Sequence, residues 1–322
     1  MEEKRCLLII NPVSGTSSKE QVASATAEAI SAAGMRLDTV YTRHAGHATE
    51  LAATAAAQGT YAVIAAGGDG TVNETARALC GTDTALGIIP MGSGNGLARH
   101  LNIPVSLHPA LDIITRGHTV ACDHCTVNGL PFFCTCGVGF DAAVSDGFAS
   151  RPKNRGMINY MRSAVEQFVK YKSEHYVIRS EGHEIVERAF LIACCNASQY
   201  GNNTFIAPRA SITDGLMDVT VVHAGTRLGS FLTGIEIMAG TLGDSARVHT
   251  FRTSHLTIER TSPGSAHIDG EPVTLDRILE IRCHPATLKV FSPGEMRVRP
   301  IITPVDAAVK GIALTIGDMI HR

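Results

Sequence analysis

The chain has 322 residues, 44% of them hydrophobic and 18% charged, with a formal net charge of −2. That is enough for one large domain or two medium ones around a buried core, and without a basic excess it argues against a nucleic-acid partner. No apolar run reaches the ~18 residues of a membrane span, and the apolar stretch after Met1-Glu2-Glu3-Lys4-Arg5 is too short for a secretory leader, so a cytoplasmic protein is expected.

The first ~115 residues alternate strand and helix, the pattern of a parallel α/β sheet. Residues 6–10 predict a strand that is apolar on both faces. A helix follows over 17–33, opened by a Ser17-x-x-Glu20 capping box and closed by Gly34. Then come a strand at 37–41, an alanine-rich helix at 47–57 and a strand at 62–66. A helix over 71–80 carries a second capping-box spacing, Thr71-x-x-Glu74. A strand at 86–89 and helices at 95–101 and 107–116 complete this half, the last stopped by Gly117.

Beyond residue 118 short β-type runs and turn dipeptides dominate: Asn128-Gly129, Glu181-Gly182 and Asp269-Gly270. Strands are expected at 120–127, 132–138, 175–180, 186–195, 216–223, 254–260 and 278–283, with helices at 158–170 and 228–241. The fold expectation is an α/β protein in two parts. Residues 1–118 form an N-terminal parallel-sheet α/β domain, 119–300 an antiparallel β-rich sandwich, and 301–322 a helical segment that packs back on the first domain.

Nine cysteines in a chain of this length do not make a secreted disulfide scaffold. Cys122, Cys125, Cys134 and Cys136 flank the Asn128-Gly129 turn, so a zinc site is one reading. The strand-like alternation around them favours the other, small buried hydrophobes. Cys194-Cys195 reads as strand core.

Three glycine-rich loops leave the carboxyl ends of the predicted parallel strands, where open α/β sheets collect ligands. They are Asn11-Pro12-Val13-Ser14-Gly15, Gly67-Gly68-Asp69-Gly70-Thr71-Val72-Asn73 and Pro90-Met91-Gly92-Ser93-Gly94-Asn95-Gly96. Each can present backbone N–H groups to an anion, and two of them feed a helix N-terminus. A carboxylate, Asp69, inside such a loop is repelled by phosphate unless a divalent cation or a reacting hydroxyl intervenes. One loop of this kind is ordinarily just a turn; three at equivalent positions point to nucleotide chemistry. A P-loop, a dinucleotide fingerprint opening the first helix and the protein-kinase motifs are all absent from the sequence.

These motifs resemble the diacylglycerol kinase catalytic family, which includes sphingosine kinases and soluble bacterial lipid kinases. The resemblance continues through Gly137-Val138-Gly139-Phe140-Asp141-Ala142, Tyr200-Gly201 with Ala207-Pro208, Asp214-Gly215-Leu216 and Asp269-Gly270-Glu271, in the family's order. It implies an ATP- and Mg2+-dependent kinase that phosphorylates a lipid hydroxyl, of diacylglycerol or sphingoid type. By similarity Gly67, Gly68, Asp69, Gly70, Thr71 and Asn73 wrap the ATP phosphates, with Asn11, Pro12, Gly15, Thr42, Ser93 and Asn95 beside them. The Ser93-Gly94-Asn95-Gly96 form is closer to the sphingosine-kinase style. Glu271 is the favoured general base and Asp269 the competing one; a plain Asp-Gly hairpin is the bland alternative. Asp214 and the carbonyls of Ser211 and Leu216 match the family's separate structural Mg2+ site, a set of hard oxygen donors; Asp218 in the next strand reads as facing water. His47 matches a Gly-His-Ala element, although capping or solvation is the commoner use of such a histidine, and of His44. Arg151, Lys153, Arg155 and Arg162 could meet anionic lipid headgroups. The partners expected are a lipid substrate at a membrane surface, met through transient peripheral contact, and a second copy of the chain in a homodimer. Two rivals are an NAD kinase-like enzyme and a module that binds nucleotide or lipid without turnover.

Overall fold

The computed structural model describes residues 4–149, 171, 173–202, 204–225 and 247–294. Four parallel strands, β1 (Arg5–Ile10), β2 (Arg36–Tyr41), β3 (Ala62–Gly67) and β4 (Ala85–Pro90), form one end of a continuous sheet in the order β2-β1-β3-β4. β3 and β4 are buried along their whole length. Their unbroken apolar runs follow from helices covering both faces. Those helices are α1 (Lys19–Ala32), α2 (His47–Ala57), α3 (Asp69–Leu79), the short α4 (Gly96–His100) and α5 (Leu107–Arg116). The strand order reverses direction between β1 and β3, so the loops after these two strands flank the crevice where such sheets bind ligands.

The second half is antiparallel. β5 (Thr119–Val127) and β6 (Leu130–Phe132) form a hairpin over Asn128-Gly129, both residues at positive φ as a two-residue turn requires. β7 (Thr135–Gly139), α6 (Phe140–Ala149), β8 (Glu174–Ser180), β9 (His183–Cys195), β10 (Met217–His223), β11 (Val248–Thr253), β12 (His255–Arg260), β13 (Gly264–Ile268), β14 (Glu271–Leu275) and β15 (Ile278–Phe291) follow. β9 is buried on both faces from Ala189 onward. Ile192 and Cys194 enter one core, and Leu191, Ala193 and Cys195 another on the opposite side. β15 joins the halves. It pairs antiparallel with β5 and β12, shifts register between His284 and Leu288, and then meets β4 in parallel at Val290 and Leu86. Leu288, Val290 and Phe291 thus pack in the same core as β1, β3 and β4.

The α/β first half and antiparallel β-rich second half match the expected architecture. Several local expectations differ. α1 is capped by Ser18, whose Oγ accepts from Gln21 N–H, not by Ser17. α3 starts at Asp69, two residues before the expected start, so Thr71 lies inside the helix and does not cap it. Its supposed capping-box partner, Glu74, instead accepts N–H bonds from Gly46 at 2.8 Å and Ala48 at 3.2 Å, closing the N-terminus of α2. The run 132–138 is two strands, with residues 133 and 134 outside the ladder. Helices expected at 158–170, 228–241 and 301–322, and the basic cluster Arg151, Lys153, Arg155 and Arg162, lie outside the described residues. Among the described residues no helix is long and apolar enough to cross a membrane.

Candidate active site

The three glycine loops meet at the carboxyl edge of the parallel strands. The first is shaped by Asn11. Its N–H donates to Ala66 O, its Oδ1 accepts from Val13 N–H, and its Nδ2 donates to Thr71 Oγ1 at 3.0 Å, tying the first loop to the second. Gly15 (φ +64°) lies against the third loop so closely that a Cβ there would strike Met91 O. Between the second and third loops, a Cβ on Gly92 would fall 2.7 Å from the Gly68 Cα. Pro12 and Ser93 are exposed at loop tips. Thr42 follows β2 at the same edge, its N–H bonded to Ile10 O at 2.9 Å.

α3 begins at the second loop with Gly68 as its N-cap, and no side chain caps it. The open amides of its first turn, with the positive end of the helix dipole, are what an anionic group binds. Gly67 is buried under Thr71: a Cβ would sit 2.5 Å from the threonine Oγ1. Thr71 and Asn73 are buried, as is Asn95 (φ +52°). Asn95 folds its own loop, accepting from Gly92 N–H at 3.0 Å and donating to Gly92 O at 2.7 Å. The side chains of Asn11, Thr71, Asn73 and Asn95 therefore bond within the site framework, as buried polar groups must.

Asp69 is held the same way. Its Oδ2 accepts from Asn95 N–H at 2.9 Å and its Oδ1 from Gly96 N–H at 2.7 Å, the latter at the start of α4. Burial raises the Asp69 pKa most, the two N–H bonds oppose that rise, and the nearby negative charge of Asp269 adds to it.

Asp269 sits in the β13–β14 turn at φ +49°. Its Oδ1 accepts from Cys134 N–H at 2.7 Å and Thr135 N–H at 3.0 Å; its Oδ2 accepts from Phe133 N–H at 3.0 Å and Asn73 Nδ2 at 2.6 Å. Three consecutive amides, from Phe133 just after β6 to Thr135 at the start of β7, thus turn toward one carboxylate, which is why the expected single strand breaks there. Asn73 belongs to α3, so this carboxylate also fastens the two halves together. Arg77 fixes Asn73 from behind, with Nε 3.1 Å from Asn73 Oδ1. A small pocket opens between Asp69 and Asp269, lined further by Asn73, Leu97, Thr135 and Tyr200.

Glu271 is exposed two residues further on. Its Oε1 lies 3.9 Å from where a Cβ on Gly70 would be. The β13–β14 hairpin therefore delivers a carboxylate from the second half to the amide-rich start of α3. Of the three acids read from the sequence, Asp69 and Asp269 are built into the pocket walls, and Glu271 is exposed beside Gly70.

The third group of candidates is elsewhere. Asp214 Oδ1 accepts from Leu216 N–H at 3.2 Å, and its Oδ2 is in an ion pair with Arg252. Ser211 Oγ bonds to Thr213 Oγ1 at 3.3 Å. Asp218, expected to face water, pairs with Arg252 Nε at 3.3 Å. Where the resemblance implied a Mg2+ site at Ser211, Asp214 and Leu216, the Asp214 carboxylate is thus paired with a guanidinium.

The cysteine quartet is likewise no metal centre. Cys122 and Cys125, three apart on β5, point to opposite faces and enter different cores. Burial pushes the Cys122 thiol up to about 12 and raises those of Cys125 and Cys134 as well. Among the described residues the one trio of His, Cys, Asp or Glu near enough to share an ion is His44, His47 and Glu50. There His47 Nδ1 accepts from Arg43 N–H at 3.1 Å, closing the loop before α2.

Sequence reasoning left some of the site unread. Gly201 (φ +113°) packs on Gly94, where a Cβ would come within 2.9 Å of its backbone, and Asn202 N–H donates to Gly94 O. The Tyr200-Gly201 pair was the available signal. Buried Asp123 accepts from Gly215 N–H and Ala286 N–H, each at 2.7 Å, anchoring the Asp214 turn to the bulge in β15.

The profile of the diacylglycerol kinase catalytic domain matches residues 5–127, and that of the YegS C-terminal NAD kinase beta sandwich-like domain matches residues 134–292. A diacylglycerol kinase of Mycobacterium tuberculosis is 29% identical over 293 residues, which span 88% of this chain and 94% of that protein. A protein of Xanthomonas axonopodis named a probable lipid kinase YegS-like is 30% identical over 281 residues, 81% of this chain and 88% of that one. The chain spans 55% of the length of a longer, uncharacterized Synechocystis relative, to which it is 30% identical over 240 residues. The crystal structure of a diacylglycerol kinase from Bacillus anthracis shares the fold, with a TM-score of 0.73 at 20% identity over 91% of this chain and 98% of that one.

Proposed function

The chain belongs to the diacylglycerol kinase catalytic family, and we propose that it moves the γ-phosphoryl group of ATP to a lipid hydroxyl, with diacylglycerol as the first acceptor to test. The observation that carries this reading is the placement of Glu271 beside Gly70. A base from one half there faces a phosphate-binding helix start from the other.

In this reading the amides of residues 67–71 and the rim formed by Asn11, Pro12, Gly15, Thr42 and Ser93 position the triphosphate. Mg2+ bound with the nucleotide supplies the charge neutralisation that phosphoryl transfer requires. Glu271 takes the proton of the lipid hydroxyl as that oxygen bonds to the γ-phosphorus and the bond to the ADP oxygen breaks. Its exposure suits this work, because a base must reach a substrate hydroxyl before its pKa matters. Asp269 is the weaker candidate. Both of its oxygens already accept two hydrogen bonds each, so neither is open to a substrate hydroxyl. The acceptor lipid is met at a membrane surface by transient contact.

The test is direct. Purified protein with labelled ATP and Mg2+ is offered diacylglycerol, a sphingoid base and phosphatidylglycerol in mixed micelles, and NAD in solution. Label in an organic-phase product that requires Glu271 supports the proposal. Label in NAD alone, or in no acceptor, overturns it.

A further inference from the structure

The turn before β10 pairs acids with the chain's own cation. Asp218 on β10 and Arg252 on β11 are direct cross-strand partners. From that register position the Arg252 guanidinium reaches Asp218 with Nε and Asp214 with Nη2. Asp218 is only 14% exposed, so its negative charge needs a partner. Burial raises the Asp218 pKa, and the positive charges of Arg252 and, more weakly, Arg209 oppose that rise. The turn itself is held from the other side, by Gly215 N–H on buried Asp123. Two carboxylates and two guanidinium groups balance one another. A divalent cation placed at Asp214 would meet a guanidinium at contact distance, a strongly repulsive arrangement.

We infer that Arg252 takes the place of a bound divalent cation at the β10 turn, so that this chain holds the turn without metal. The strand register is the device: it fixes the guanidinium where an ion would otherwise join the Asp214 carboxylate to the turn. The oxygen donors of the turn remain, so removing the guanidinium should convert the turn into a cation site.

The experiment uses the full chain without nucleotide, so it is independent of the kinase reading. Thermal unfolding is followed in EDTA and in 10 mM MgCl2 for the natural protein, Asp214→Asn, Arg252→Gln and the double variant. The natural protein and Asp214→Asn should respond equally to Mg2+, whereas Arg252→Gln should gain a rise in Tm of ~3 °C or more, the scale of ligand linkage at a filled site. The double variant should lose that gain. Mn2+ binding to the natural protein, counted by electron paramagnetic resonance against Asp214→Asn, gives a readout that needs no Arg252 variant to fold; equal counts are expected. A Mg2+ response or a bound Mn2+ in the natural protein that disappears in Asp214→Asn overturns the inference. So does an Arg252→Gln protein that gains no Asp214-dependent response.

Discussion

Replacing Asp269 by Asn separates a structural acid from a catalytic one. The change is isosteric but leaves a single carbonyl oxygen. If that oxygen keeps the Cys134 and Thr135 amides, the new NH2 group faces the Phe133 N–H and the Asn73 Nδ2, donor against donor. Asn73 cannot flip to help without giving up Arg77, which its Oδ1 accepts. Two hydrogen bonds to a charged acceptor are lost, each worth ~1.5–3 kcal/mol. The site is half-buried, so the low end applies and the cost is about 3 kcal/mol, or ~5 °C in Tm. Glu271→Gln should cost under ~0.5 kcal/mol, as for other exposed positions, yet slow single-turnover transfer ~100-fold or more with ATP affinity nearly unchanged. The assays are urea unfolding, nucleotide titration and rapid-quench transfer on both variants. If Asp269→Asn is as stable as the natural protein and fails in transfer while Glu271→Gln transfers normally, the assignment is reversed and the reasoning from hydrogen bonding fails.

Gly92→Ala should push the second and third loops apart and weaken ATP binding ~10-fold or more, since its Cβ would fall 2.7 Å from the Gly68 Cα, backbone that cannot turn aside; Gly34→Ala, at positive φ but with open space around it, is the control that should leave ATP binding unchanged. Glu74→Ala removes both acceptors at the start of α2 and should lower stability by about 1–2 kcal/mol, measured by urea unfolding, whereas a true capping role at α3 would leave the Gly46 and Ala48 amides as protected from hydrogen exchange as before. Burial holds the His100 pKa down at about 4, and its Nδ1 accepts from Ser198 N–H. Its folded pKa lies below its unfolded value, so the neutral ring's contribution is complete above pH ~6.5 and is lost as pH falls through ~4, about 3 kcal/mol in all. His100→Gln should flatten the fall in unfolding free energy between pH 6.5 and 4.5, and an unchanged slope would clear His100 of that role.

Periodicity made the parallel half legible because β3 and β4 are buried on both faces and Gly34, Gly59, Gly81 and Gly117, all at positive φ, follow α1, α2, α3 and α5. The β-half was harder for identifiable reasons. A strand was expected only over 278–283; the chain bulges at Pro285 and Ala286, the latter at positive φ, and the strand continues for another eight residues to Phe291. The break between β6 and β7 has no local signal at all. It comes from Asp269, more than 130 residues away in sequence, which takes the amides of Phe133 and Cys134 outside the ladder and of Thr135 where β7 begins. The capping-box spacing at Thr71 and Glu74 is real as a pattern, but the glutamate finds better-placed donors on the neighbouring helix. Among the site residues, the glycine loops could be read because close backbone approach demands glycine. The division of labour among the acids could not, because it depends on which amides each carboxylate meets.

That division also bears on how the cleft is set. Asn73 lies on the helix that starts at the phosphate-binding loop, and Asp269 lies two residues before Glu271 on the opposing hairpin. Their 2.6 Å hydrogen bond therefore spans the same gap that the proposed base must cross. A displacement of the hairpin that moved Glu271 away from Gly70 would first have to break this bond and the three amide bonds behind it. The distance between the proposed base and the glycine loop is thus held by a half-buried polar network and not by the exposed Glu271 side chain itself. In such an arrangement the reacting carboxylate can stay open to a substrate hydroxyl, because its neighbour supplies the positioning.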